Sequence, residues 1–301
     1  MDELTTRRLA VIKQLYKLGI SQSYDSEPVN GFCLLSFHDS VEMFMKLCAD
    51  INNISITRND RFEHYFIKLP NLQGQATMTN LNNKRVALKH HGILPSKLDI
   101  EISRANVSDF FIQNTPLFFN VTFDEISLIS LIKYDTVRQY LELAVGDLNG
   151  QNFESAIINS QIAFAELLFC YEDDKFHNWN SPFYPFRGIE HTTSHRLKEI
   201  LGHEFDNYTD QIQKSLLSLR DITKILGYGL DYKKYAKFKI LTPHLNAWKE
   251  GGGGRKYETM PNEKINYSKK NAEFCFDFVI DSYLKLQEYD FDVSELYLKV
   301  E

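Results

Sequence analysis

The sequence predicts an all-α protein, and three observations carry that expectation. Apolar residues recur at intervals of three and four along most of the 301 residues, which is the period of a helix with one buried face. Glycine or proline follows many of these runs as a stop signal. No strand-like alternation of the kind a parallel sheet requires intervenes between them.

Taken in order, residues 2–18 place Leu4, Leu9, Ile12, Leu15 and Tyr16 at roughly helical spacing, with Gly19 as the expected stop. After a turn-like stretch, residues 32–51 repeat Phe37, Val41, Phe44 and Cys48 at helical intervals. Residues 61–69 read as a short helix before Pro70, and residues 75–91 as a helix that Gly92 and Pro95 close. Two amphipathic stretches follow, at 97–114 and 123–133. A second helical set starts near Asp135, with runs at 136–150, 153–173, 207–226, 232–241 and 268–291. Residues 250–261, with four consecutive glycines, are expected to be a mobile loop, because glycine loses most backbone entropy on ordering. No exact internal repeat is present. The expected division is therefore 1–135 and 136–301.

Composition narrows the class. A hydrophobic fraction of 43% with 25% charged residues belongs to a globular chain with an aromatic-rich core. No run approaches eighteen uninterrupted apolar residues, so no membrane segment is expected and the cytoplasm is the expected location. The net charge of −6 argues against a general nucleic-acid coat and requires any such binding to be concentrated in a local basic pocket. Cys33, Cys48, Cys170 and Cys275 lie far apart in apolar segments, which suggests buried small hydrophobes and neither a zinc pattern nor a disulfide framework.

The stretch NKRVALKHHG, residues 83–92, gathers five basic or titratable side chains in this acidic chain. On a helical wheel, Met78, Leu81, Val86 and Leu88 define an apolar arc with Arg85 near its centre and Lys89 one turn on. A guanidinium there needs a carboxylate partner, a wet groove or a second subunit. His90 and His91 follow at the helix end, where the dipole favours the protonated ring.

Arg85, a few intervening residues, then His90 or His91 followed by Gly92 resembles the arginine-to-histidine motif of the HEPN superfamily (higher eukaryotes and prokaryotes nucleotide-binding), whose members are all-helical bundles. The resemblance covers residues 1–135 by motif and 136–301 by architecture alone. It implies two HEPN-like bundles in tandem, the second with a degenerate motif: Arg220 lacks a histidine at the right distance, and His244 follows lysines. It departs from the family at Val86, where many active members carry a polar residue. It further implies a metal-independent endoribonuclease of a bacterial defence or toxin type, with no cofactor. Arg85 and His90 or His91 would be catalytic, the histidine taking the 2′-hydroxyl proton and the arginine stabilising the phosphoryl charge, to leave a 2′,3′-cyclic phosphate. Lys84 and Lys89 would bind substrate phosphates. RNA as substrate, a homodimer that joins two such sets, and an antitoxin or sensor protein are the implied partners.

His38, Asp39 and Glu42 on the second helix are candidates to support Arg85, although exposed carboxylates one turn apart are equally ordinary on an amphipathic helix. His191, His195 and Glu199 could face a metal from one helix, but no second-helix ligand is evident, so no metal is expected. The aromatics of residues 176–186 could stack bases or pack a loop onto the core. Arg255 and Lys256 could sweep over a substrate. The competing expectation is a non-catalytic scaffold that binds RNA, a nucleotide or a partner protein, with Arg85 structural.

Overall fold

Helical periodicity becomes helix across most of the chain in a computed structural model, which describes residues 1–57, 59–175, 200, 206–249, 255–260 and 262–288. Ten α-helices, two 3-10 turns and one hairpin form its regular structure among those residues, so the protein is all-α apart from that hairpin. The chain divides into two compact units, Met1–Leu131 and Ile132–Glu301.

In the first unit, α1 (Glu3–Gln22) begins where the Asp2 carboxylate accepts the Thr5 amide at 2.7 Å. That bond satisfies one of the four amides a helix start leaves unpaired. Gly19 does not end this helix. A β-carbon there would lie 2.6 Å from the Phe37 ring, so glycine lets α1 approach α2 (Cys33–Ile51) closely while the helix continues. After the short α3 (His64–Lys68), α4 (Gln75–His91) closes on Gly92 in the left-handed conformation (φ 66°). There the Gly92 and Ile93 amides donate to the Leu88 and Ala87 carbonyls, a left-handed ending that folds the chain back onto the last turn.

Helix α5 (Lys97–Phe119) starts at a capping box between Ser96 and Asp99 and runs past its expected end at 114. Packing draws it on, because Phe119 meets Phe44 at 5.5 Å between ring centroids. The expected amphipathic helix at 123–133 is instead irregular, with a 3-10 turn at Ile129–Leu131. Lys13 Nζ takes the carbonyls of Asp124 and Ile126, at 2.8 and 2.7 Å, acceptors that a helix would have used itself. An aromatic cluster fills the core, with Phe111 against Tyr16, Phe44, Phe110 and Phe123.

In the second unit, α7 (Phe153–Lys175) is central, packed against α6 (Asp135–Asn149) and α10 (Lys269–Leu286). Helices α8 (Asp206–Gly227) and α9 (Tyr232–Leu241) join them, and Phe164, Phe238 and Phe278 meet with centroids 4.7 to 5.2 Å apart. Helix α7 is long and apolar enough to be weighed as a membrane span, yet it carries Glu166 and Glu172 buried in ion pairs, which suits the middle of a bundle.

The expected loop at 250–261 is partly strand. β2 (Arg255–Met260) pairs antiparallel with β1 (His244–Lys249), alternating half-buried and exposed side chains. Arg255 holds it down and does not sweep over a substrate. Its guanidinium pairs with Glu166 at 3.2 Å and Asp173 at 3.0 Å and lies over the Phe169 ring, while the Tyr257 hydroxyl donates to Glu166. Cys33, Cys48 and Cys275 are buried, Cys170 is half-buried, and all four are free thiols; burial pushes Cys33 up to about 11 and Cys275 up to about 12.

Candidate functional site

The centre of the α4 apolar arc is where Arg85 falls. Met78, Leu81 and Leu88 are buried, Arg85 is half-buried beside them, and its Nε is sealed from solvent with no hydrogen-bond partner. No carboxylate among the described residues forms an ion pair with it. The side chain therefore stands without the partner that a purely structural arginine at this position would require.

Across the packed pair α2 and α4 lies His38, 3% exposed. Its ring stacks on Phe62 at 4.9 Å between centroids, and its Nδ1 lies 3.2 Å from Asp39 Oδ1 and 3.8 Å from Glu42 Oε2. A carboxylate facing Nδ1 favours the tautomer protonated there and leaves the lone pair on Nε2. That Nε2 is likewise buried and unpartnered. Burial lowers the His38 pKa from 6.5; the Asp39 hydrogen bond and the Glu42 charge act upwards, and the Arg85 charge acts downwards with burial. The ring is neutral at pH 7, the state a general base requires.

The folded pKa of His38 lies below the unfolded value, so between the two the unfolded chain binds more protons. Stability from this group is complete above about pH 6.5 and is lost as the pH falls through the interval down to the folded pKa, at no more than about 1.4 kcal/mol per pH unit. Urea unfolding at pH 7.5 and pH 5.5 should show a larger loss in the wild type than in His38→Gln; equal losses would contradict the assignment.

The other candidates are placed differently. His90 and His91 remain within α4 and are exposed. At about 100° per residue they stand about 140° and 240° round the helix from Arg85, on other faces. The charge of Arg85 acts on the His38 ring, whose Nδ1 faces Asp39 and Glu42, while both helix-end histidines are exposed. Lys89 is exposed beside them. Lys84 is engaged: its Nζ lies 2.9 Å from Asp99 Oδ1, and the Ser96 hydroxyl and this lysine hold the Asp99 carboxyl down to about 2. Replacing Asp99 with alanine should free Lys84 and remove the reciprocal half of the α5 capping box, the acceptor for the Ser96 amide and hydroxyl, while the Ser96 cap itself stays, costing about 0.5 to 1 kcal/mol in a thermal melt.

Phe62, the ring that walls His38, was not legible as part of the site. It lies in a different segment, and no spacing in the sequence links it to His38. Among the described residues, one group has the spacing of a cation ligand set: a ring nitrogen of His38 and a carboxylate oxygen each from Asp39 and Glu42 lie within 4.8 Å of one another, and ligation through Nδ1 would need the tautomer opposite to the one Asp39 favours. His191, His195, Glu199 and the aromatics of 176–186 lie outside the described residues.

Fold and geometry define the class: a mostly helical protein whose first unit holds an arginine and a neutral imidazole with their free nitrogens buried. No family model matches the chain, and neither does any curated protein or solved structure.

Proposed function

We propose that this chain is a metal-independent endoribonuclease built of two HEPN-like bundles, acting in bacterial defence or as a toxin, with the site in the first. The observation that supports it best is the pair of buried, unpartnered nitrogens, Nε of Arg85 and Nε2 of His38, on packed helices. Each such atom costs about 1 to 3 kcal/mol when nothing satisfies it, and sites built for a ligand carry that cost. A phosphodiester satisfies both. Its oxygens accept from the guanidinium, and the neighbouring 2′-hydroxyl donates to the imidazole.

In the resulting step the 2′-oxygen attacks phosphorus as His38 Nε2 takes its proton, and the bond to the 5′-oxygen breaks. The leaving oxygen takes a proton from a second imidazole, giving a 2′,3′-cyclic phosphate and a 5′-hydroxyl. His90 or His91 supplies that proton from the exposed helix end of a second copy, which makes the active species a homodimer. Lys89 holds flanking phosphates, and Lys84 joins it on leaving Asp99. A cytoplasmic location and an antitoxin or sensor partner accompany this reading.

One observation favours the second reading, a non-catalytic bundle that binds RNA, a nucleotide or a partner protein: His38 Nε2 is closed to solvent. Incubation of purified protein with total RNA in EDTA separates the possibilities. Cleavage with cyclic-phosphate ends supports the nuclease, and cleavage that chelation removes points to the His38, Asp39 and Glu42 cation set. Intact RNA, together with no growth defect on expression in cells, supports the scaffold.

A further inference from the structure

The second unit holds a cavity of about 210 Å³ between α7, α8, α9 and β1. Its walls include Phe164, Phe169, Tyr235 and Phe238, with Phe164 tilted against both Tyr235 and Phe238. An engineered cavity of about 150 Å³ holds benzene, so this one admits a flat bicyclic ring.

Two polar groups give the cavity a chemical preference. Gln161, 4% exposed, lines it and donates its Nε2 to the Pro243 carbonyl at 2.5 Å, leaving Oε1 buried without a partner. A buried acceptor of this kind calls for a donor from whatever occupies the space. The charges at the rim are unequal in their commitments. Lys224 is paired with Glu172, and Asp221 is held by Arg220 at 3.0 Å. Lys239 is exposed, and no carboxylate among the described residues pairs with it. The uncommitted charge is therefore positive.

We propose that this cavity is a ligand site for a flat bicyclic heteroaromatic anion, whose ring N–H donates to Gln161 Oε1 between the aromatic walls and whose acidic group meets Lys239 at the mouth. Apolar walls with a few convergent polar groups are the usual make-up of a small-molecule site, and the free lysine selects an acid over a neutral ring. An indole acid and a purine nucleotide share this chemistry. The site lies within the second unit, and the proposal is independent of RNA cleavage by the first.

Calorimetric titration of the full chain with indole-3-acetate, with guanosine 5′-monophosphate and with neutral indole tests it. At least one of the two anions should bind saturably at one per chain, and which one binds identifies the source. Gln161→Leu should weaken that probe about tenfold or more, and Ala165→Trp, which fills the space, should abolish binding. Lys239→Ala, at an exposed position that leaves the fold intact, should weaken the anion several-fold and leave neutral indole unchanged. The proposal is overturned if neither anion saturates at millimolar concentration, or if Lys239→Ala binds the anion as tightly as wild type.

Discussion

Arg85→Ala is expected to lower RNA cleavage by about 10²- to 10³-fold, the usual loss when one preorganised group facing the developing charge is removed. Its effect on stability should be small, within about 1 kcal/mol, because the Nε it removes already lacks a partner. A structural arginine would behave oppositely, since deleting one side of a buried ion pair costs about 3 to 5 kcal/mol. Arg85→Lys should not restore the rate: it keeps the charge but lacks the planar fork and the Nε–H. His38→Gln should lose about 10²- to 10⁴-fold, as expected for a general base. Exactly which helix-end imidazole serves as the acid is decided by His90→Ala and His91→Ala, of which one should lose activity. Single-turnover kinetics on a short RNA, run beside thermal melts of the same variants, measures both quantities. Full cleavage in Arg85→Ala would remove the nuclease reading.

Phe111→Ala should be the most damaging single change to the first unit. The ring stacks on Phe123 at 4.3 Å and meets Tyr16, Phe44 and Phe110 between 5.3 and 5.5 Å, with no exposed surface of its own. Truncating such a ring costs about 3 to 5 kcal/mol, transfer and cavity terms together. Against a total of about 5 to 15 kcal/mol for a typical domain, that leaves the unit marginal. The next residue supplies the control. Ile112 is 58% exposed, and its change to alanine should fall within about 0.5 kcal/mol in the same guanidinium titration. Similar midpoints for the two variants would show that the aromatic cluster is not the seat of stability.

The sequence by itself determined the helices whose signals are local. Spacing placed Phe37, Val41, Phe44 and Cys48 on one buried face of α2, and Gly92 marked the end of α4 because the left-handed ending suits a residue without a side chain. It also set Arg85 at the centre of the α4 arc, since a wheel depends only on the helical period. Tertiary structure decided the rest. Gly19 reads as a stop until Phe37 of another helix supplies a reason for glycine inside α1. The carbonyls near 123–133 were lost to helix formation through Lys13, more than a hundred residues upstream. Arg255 was drawn into a strand by Glu166 on α7. An imidazole that feels the charge of Arg85 came from α2, because packing sets residues of different helices side by side, while residues five and six positions apart point away from each other on one helix.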